Sequence, residues 1–221
     1  MPGSWELRNH PRVLGYTLNT ELVTLAWAYG LRNLIFPGDW MPIAGRPFDM
    51  ARNDACMRCL EGGYDWLFSL DSDVIPPRDA VIRLLRHQKP VISGLYARRS
   101  PPHGLPVMQR PVGQWITKYK PGSVIEVDTV GAGCLLIHRS VLEKMPAQRP
   151  EAGKHWFDWA VDCPPQHAPN GTMSEDFSFC IHVKRTLVVS VLVDTSVVCR
   201  HVGAAEATPG SFVPLNTTPI T

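Results

Sequence analysis

Apolar positions along the chain fall into short blocks whose spacing alternates between that of a strand and that of a helix. Arg12 to Leu18 (RVLGYTL) is an apolar run of strand length. Glu21 to Arg32 then places Leu22, Leu25, Ala26 and Tyr29 at helical spacing. Leu34 to Phe36 predicts a short strand stopped by Pro37-Gly38. Pro47 to Leu60 predicts a helix, with proline at its first turn and Gly62-Gly63 as its stop. Tyr64 to Leu70 (YDWLFSL) predicts a third strand and Pro90 to Tyr96 a fourth. Between them Pro77 to His87 predicts a helix with Val81, Ile82, Leu84 and Leu85 inward. Alternation of this kind argues for parallel strands joined by helical crossovers.

The second half changes character. Gln114 to Lys120, Ser123 to Val127 and Val130 to His138 predict neighbouring strands, joined partly by Pro121-Gly122. Helices are expected at Ser140 to Met145 and Ser174 to Lys184, then strands at Leu187 to Val193 and Ser196 to Cys199. The expected fold is a single α/β domain over residues 1–203, a Rossmann-like mixed sheet flanked by helices. Residues 204–221 are small, polar and proline-rich, the pattern of a loose tail.

Composition narrows the class. The chain is 44% hydrophobic and 19% charged, the balance of a globular protein and not of a disordered one. A net charge of +2 excludes a generic polyanion binder. No apolar run reaches the roughly 18 residues of a membrane span. Met1 to His10 lacks the apolar core of a secretory signal, which makes the expected location cytoplasmic. Cys56, Cys59, Cys134, Cys163, Cys180 and Cys199 read as reduced thiols, most of them in apolar stretches. Cys56-x-x-Cys59 has no second such pair and supplies two of the four ligands of a zinc site, so it reads as core packing.

Candidate chemistry sits at three places. Asp71-Ser72-Asp73 follows an apolar strand, and ligands of open α/β sheets bind beyond the carboxyl ends of strands. Two carboxylates there make a hard oxygen site suited to Mg²⁺ or Mn²⁺; the other reading is a solvated turn that caps the next helix. Ser174-Glu175-Asp176 opens a helix, so its acids serve the dipole, or one serves as a general base. His201 follows the last strand and reads as a capping residue or as an imidazole ligand beside carboxylates.

The order of these parts, RN at Arg52-Asn53, then YDWLFSLDSD, VGAGCLLIHRSVL, SED and CRH, resembles the GT-A class of nucleotide-sugar-dependent glycosyltransferases, in particular family-2-like members. The resemblance covers roughly Arg12 to Gly203. It implies that residues 1–125 bind the nucleotide sugar and 126–203 the acceptor. It implies that Asp73 binds the divalent ion on the donor diphosphate, Mn²⁺ or Mg²⁺, with Asp71 sharing the metal or touching the donor ribose. His201 matches a late metal-binding histidine. Asp176, of the Glu175-Asp176 pair, matches the base that deprotonates the acceptor hydroxyl. Thr17, Arg52 and Asn53 match donor-nucleotide positions, and the Gly131 to Gly133 turn would admit the transferred sugar. A UDP-sugar stands first among donors.

From Ala80 to Ile125 there is no Asp or Glu, while Arg83, Arg86, Lys89, Arg98, Arg99, Arg110, Lys118 and Lys120 accumulate. Such a stretch is either an ordinary basic face or the landing site of an anionic acceptor, a glycan or a hydroxylated-base DNA of viral type. Two rival functions use other parts. A nucleotidyltransferase or nucleotide-sugar hydrolase would share the metal site, but Gly15 to Thr20 lacks the basic residues of a nucleotidyltransferase loop. A carbohydrate-binding module would use the seven tryptophans as platforms, yet Trp27 and Trp66 fall in expected core elements.

Overall fold

The structure is a computed structural model and describes residues 11–19, 22–99, 104–146, 155–161, 163–168 and 170–202. The expected tail at 204–221, the first ten residues and Glu21 lie outside them.

Seven strands form one sheet: β1 (Val13–Asn19), β2 (Gly38–Ala44), β3 (Trp66–Leu70), β5 (Val91–Leu95), β7 (Val124–Val127), β9 (Cys134–His138) and β10 (Val191–Val198), in the order β2-β1-β3-β9-β5-β10-β7. Two-residue strands β4 (Val74–Ile75), β6 (Met108–Gln109), β8 (Thr129–Val130) and β11 (Arg200–His201) pair outside it, β4 with β11 and β6 with β8. β1 runs parallel to β2 and β3, and β10 runs parallel to β5. β9 lies antiparallel between β3 and β5, and β7 antiparallel on β10. The fold is therefore the expected Rossmann-like mixed sheet with helices on both faces.

Those directions decide where chemistry can gather. β1, β3, β5 and β10 all end at the same sheet edge. β9 runs the other way, so its entry turn, Gly131 to Gly133, comes to that edge too. The strand interiors are apolar on both sides because both are covered. Trp66, Phe68 and Leu70 pack with Trp27 of α1 (Leu25–Asn33) and Val81, Leu84 and Leu85 of α3 (Ala80–Arg86). Leu67, Leu135 and Ile137 pack with Ala55, Cys56 and Cys59 of α2 (Phe48–Glu61), with α4 (Arg139–Lys144) and with α5 (Glu175–Leu187). Alternate residues of β3 thus serve opposite layers, as the period of two requires.

The cysteine reading holds in these layers. All six are free thiols, Cys56 and Cys59 are fully buried, and burial pushes the Cys59 thiol up to about 12.

Several expectations change. No strand forms at Leu34 to Phe36; β2 starts at Gly38 and tolerates Pro42 because it is an edge strand with β1 as its one partner. The expected helix at Glu21 to Arg32 starts at Leu25, which leaves Leu22 before it; Leu22, Leu25 and Tyr29 point outward, at 85%, 79% and 59% exposure, and Trp27 is the buried residue of α1. Ile82 of α3 is half-buried and not inward. Gln114 to Lys120 is a loop, with a single bridge between Gln109 and Trp115. Ser123 to Val127 and Val130 to His138 are not neighbours, since β9 inserts between β3 and β5 while β7 takes the far edge. The two expected final strands are one, and buried Asp194 and Thr195 are accommodated in it because Asp194 meets His87 at the end of α3 and Thr195 donates to Ser123 O just ahead of β7.

Candidate active site

Arg52 is the foundation of the sheet edge. It sits on α2, 4% exposed, with its guanidinium beneath the carboxylates. Its Nε donates to Glu175 Oε1 at 3.0 Å, Nη1 to Ser69 Oγ at 2.8 Å and Nη2 to Asp71 Oδ1 at 3.1 Å. Buried among these acceptors, Arg52 positions Asp71 and Glu175. Burial raises both acids above the ordinary carboxyl range. The charge of Asp73 adds to the effect on Asp71 and that of Asp176 to the effect on Glu175, while Arg52 opposes both.

Asn53 and Thr17 are also used internally. Asn53 Oδ1 accepts from the backbone of Trp156 at 2.8 Å and of Phe157 at 3.0 Å, and its amide donates to Phe157 O at 2.7 Å. It pins the 155–161 segment over α2. The Thr17 hydroxyl, 1% exposed, donates to Leu70 O and ties the end of β1 to the end of β3.

Asp73 and His201 meet through the smallest elements of the fold. β4 begins directly after Asp73, and its antiparallel pairing with β11 sets His201 opposite Val74. Val202 N donates to Asp73 O at 2.7 Å and locks the register. Asp73 Oδ1 then lies 3.3 Å from His201 Nε2. His201 Nδ1 lies 2.7 Å from Ala97 O, which can only accept, so Nδ1 carries a proton. Nε2 faces the carboxylate. Arg99 contacts both, Nη2 to Asp73 Oδ2 at 2.7 Å and Nε to His201 Nε2 at 3.1 Å. Burial opposes ionisation of Asp73, but His201 and Arg99 outweigh it and hold its carboxyl below the ordinary range.

This pair fits a divalent ion. A carboxylate oxygen and the imidazole Nε2 face each other, and a backbone carbonyl orients the ring through Nδ1, as is usual for metal-ligating histidines. Among the described residues, no three His, Cys, Asp or Glu side chains converge into a complete cage. Mg²⁺ commonly takes one or two protein ligands and completes its shell with phosphate and water. Asp71 stands beside the pair, held by Arg52.

The second half of the site is the turn before β9. Asp71 N donates to Gly133 O at 3.1 Å, and Asp176 Oδ2 accepts from Ala132 N at 3.2 Å. One turn therefore joins the strand carrying Asp71 to the helix carrying Asp176. Asp176 Oδ1 also takes Ser174 Oγ and, at 2.8 Å, Phe177 N. Asp176 is half-buried, whereas Glu175 is 4% exposed.

The glycines of this turn make room for a side chain that sequence reasoning missed. A Cβ on Gly131 would lie 2.0 Å from Tyr96 Oη, and one on Gly133 2.9 Å from the Tyr96 ring. Tyr96 Oη accepts from Gly133 N at 3.0 Å, and its ring meets His201 edge-on at 5.5 Å. Tyr96 thus fills the space expected for a sugar beside the turn. Its place at the end of an apolar strand is the one signal the sequence carries. Trp27 is a second missed residue; its indole donates to Asp71 O at 2.9 Å.

The basic stretch is not one continuous face. Arg83 faces Asp79, His87 meets Asp194 at 2.8 Å, Arg110 faces Glu126 and Arg99 meets Asp73. Acids from elsewhere supply what the stretch lacks. The Arg98 guanidinium lies over the Trp115 ring at 4.9 Å, and Trp115 meets Phe177, the residue after Asp176, at 6.0 Å. Residues 100–103 of the loop between Arg98 and Leu105 lie outside the described set.

No protein-family model and no curated protein matches the chain. Among solved structures, A197 from STIV is similar at a TM-score of 0.62 with 22% identity, covering 90% of this chain and 90% of that chain. That likeness shows a shared fold. Apo UDP-glucose pyrophosphorylase overlaps at a TM-score of 0.42 with 8% identity, over 86% of this chain and 76% of that one. A glycosyltransferase involved in glycosylation of the major capsid of PBCV-1 overlaps at 0.29 with 13% identity, over 60% and 62%. Both of these overlaps are too loose to bear on function. Among the described residues no helix is long and apolar enough to cross a membrane.

Proposed function

We propose that this chain is a metal-dependent glycosyltransferase of the GT-A type, moving a sugar from a nucleotide-diphosphate sugar to a hydroxyl acceptor. The observation that carries this reading is the shared turn. The Asp73–His201 pair and Asp176 come to one sheet edge from distant parts of the chain, on either side of Gly131 to Gly133, tied to it through Asp71 and Ala132. A donor-side cation site and a separate acid on the acceptor side are the minimum equipment for this reaction.

Asp73 and His201 would hold Mn²⁺ or Mg²⁺, which supplies Lewis-acid stabilisation of the leaving diphosphate. Asp176 has the role of general base. A half-buried carboxylate held in place by backbone N–H groups is positioned to take the proton of the attacking hydroxyl. Glu175 is spent on Arg52 and fixes the first turn of α5. Tyr96 holds the turn through Gly133 N and steadies the His201 ring. Trp115 and Phe177, beside Asp176, support an acceptor with a flat ring, which can stack on an aromatic face.

The test is a thermal-shift series with nucleotide sugars, with and without Mn²⁺. A native-state ligand at a hundred times its dissociation constant stabilises by about 2.7 kcal/mol. Stabilisation that needs both the nucleotide sugar and Mn²⁺, and that disappears in Asp73→Ala, supports the reading. Stabilisation by nucleoside triphosphates with none by nucleotide sugars favours a nucleotidyltransferase instead.

A further inference from the structure

Asp73 Oδ1 and His201 Nε2 lie 3.3 Å apart. The Arg99 guanidinium spans the pair, from Nη2 to the carboxylate at 2.7 Å and from Nε to the imidazole at 3.1 Å, so it sits on both of the groups that a divalent ion would use. It is also the outermost member: the Arg99 side chain is 42% exposed, against 30% for Asp73 and 14% for His201. The two residues before it are anchored without it, by Arg98 N donating to Leu105 O at 2.8 Å and by the bridge between Ala97 and Pro106. Rotation about the bonds of this long, part-exposed side chain can carry the guanidinium off the pair.

We propose that Arg99 is a displaceable internal cation, occupying the Asp73–His201 site in the unloaded protein and competing with the divalent ion for it. The proposal rests on the metal reading of that pair. Its consequence is that the free ion binds weakly. The anionic diphosphate, by pairing with the released guanidinium, favours loading of metal and donor together. Charge then stays balanced in both states: one carboxylate with one guanidinium before loading, and a divalent ion with carboxylate and diphosphate after it, with Arg99 facing the phosphates.

The experiment is Mn²⁺ binding followed by the electron paramagnetic resonance of the free ion, with no sugar nucleotide present. The proteins are the wild type, Arg99→Ala, Asp73→Asn and the double variant, each checked for folding by its melting temperature. Arg99→Ala is expected to bind Mn²⁺ about tenfold more tightly than the wild type, and Asp73→Asn to abolish binding in either background. UDP should strengthen Mn²⁺ binding more in the wild type than in Arg99→Ala. Equal or weaker Mn²⁺ binding by Arg99→Ala, still abolished by Asp73→Asn, would overturn the role of Arg99 and leave the metal site standing. Binding that survives Asp73→Asn in both backgrounds, or no binding to any of the four proteins, would overturn the metal reading and this proposal with it.

Discussion

Arg52 Nε donates to Glu175 Oε1 at 3.0 Å, both side chains almost fully buried, and this contact separates two neighbouring acids that the sequence cannot tell apart. Glu175 points inward to the cation, and Asp176 points to the turn at Ala132.

Unequal effects follow for the two acids. Glu175→Gln leaves Arg52 short of a buried counter-charge and is expected to cost about 3 kcal/mol of stability, with turnover falling only modestly in the folded fraction. Asp176→Asn keeps the size and loses the base, so turnover should drop about 10²–10⁴-fold with the melting temperature nearly unchanged. Denaturant titration and steady-state rates on both variants check this, and the reversed order would make Glu175 the base.

Much of the site was legible and the reasons for the rest are physical. Asp71 and Asp73 follow an unbroken apolar strand, and Glu175-Asp176 follows an N-cap serine, so local pattern locates them. The meeting of Asp73 with His201 depends on two strands of two residues each, too short to leave a period. The place of Arg52 beneath the carboxylates has no local signature, because it is set by α2 packing, which is a long-range property. The same holds for β9, whose antiparallel insertion brings Gly131 to Gly133 to the active edge, and for α1, where one indole outweighs a face of Leu25 and Tyr29.

His201 and Asp73 should separate in a metal titration. Asp73→Ala is expected to abolish donor binding that depends on Mn²⁺ while the fold survives, because its carboxylate serves the sheet edge and not the core. His201→Ala should weaken metal affinity by about 10–100-fold, the scale seen when a ligand or its supporting shell is lost, with donor binding recovered at high Mn²⁺. An unchanged titration in His201→Ala would return the imidazole to a role in holding Ala97.

On the acceptor side, Trp115→Ala removes the aromatic face beside Phe177. Binding of a ring-bearing probe should weaken about tenfold, or about 1.4 kcal/mol, with nucleotide-sugar binding unchanged. A short single-stranded oligonucleotide and an acidic oligosaccharide serve as probes, and equal binding of both to wild type and variant would place the acceptor elsewhere.

Asp194 gives a pH signature away from the site. It is 3% exposed, and burial opposes its ionisation, yet hydrogen bonds from Ser196 and His87 outweigh this and hold its carboxyl low. A carboxyl lower in the folded than in the unfolded chain adds stability above the ordinary value of 3.8 and loses it as the pH falls through the folded value. Asp194→Asn should therefore cost about 2–3 kcal/mol at pH 7 and show a flatter decline below pH 4. Urea titrations of both proteins across the acid range measure the difference.

The central claim is tested most directly by the products formed from a nucleotide-diphosphate sugar with Mn²⁺, water serving as a slow acceptor. Over a panel of donors, chromatography should show a nucleoside diphosphate and a free sugar from one of them, dependent on Mn²⁺ and absent in Asp73→Ala. Release of a nucleoside monophosphate and a sugar phosphate, or turnover that persists without the metal and in Asp73→Ala, would contradict it.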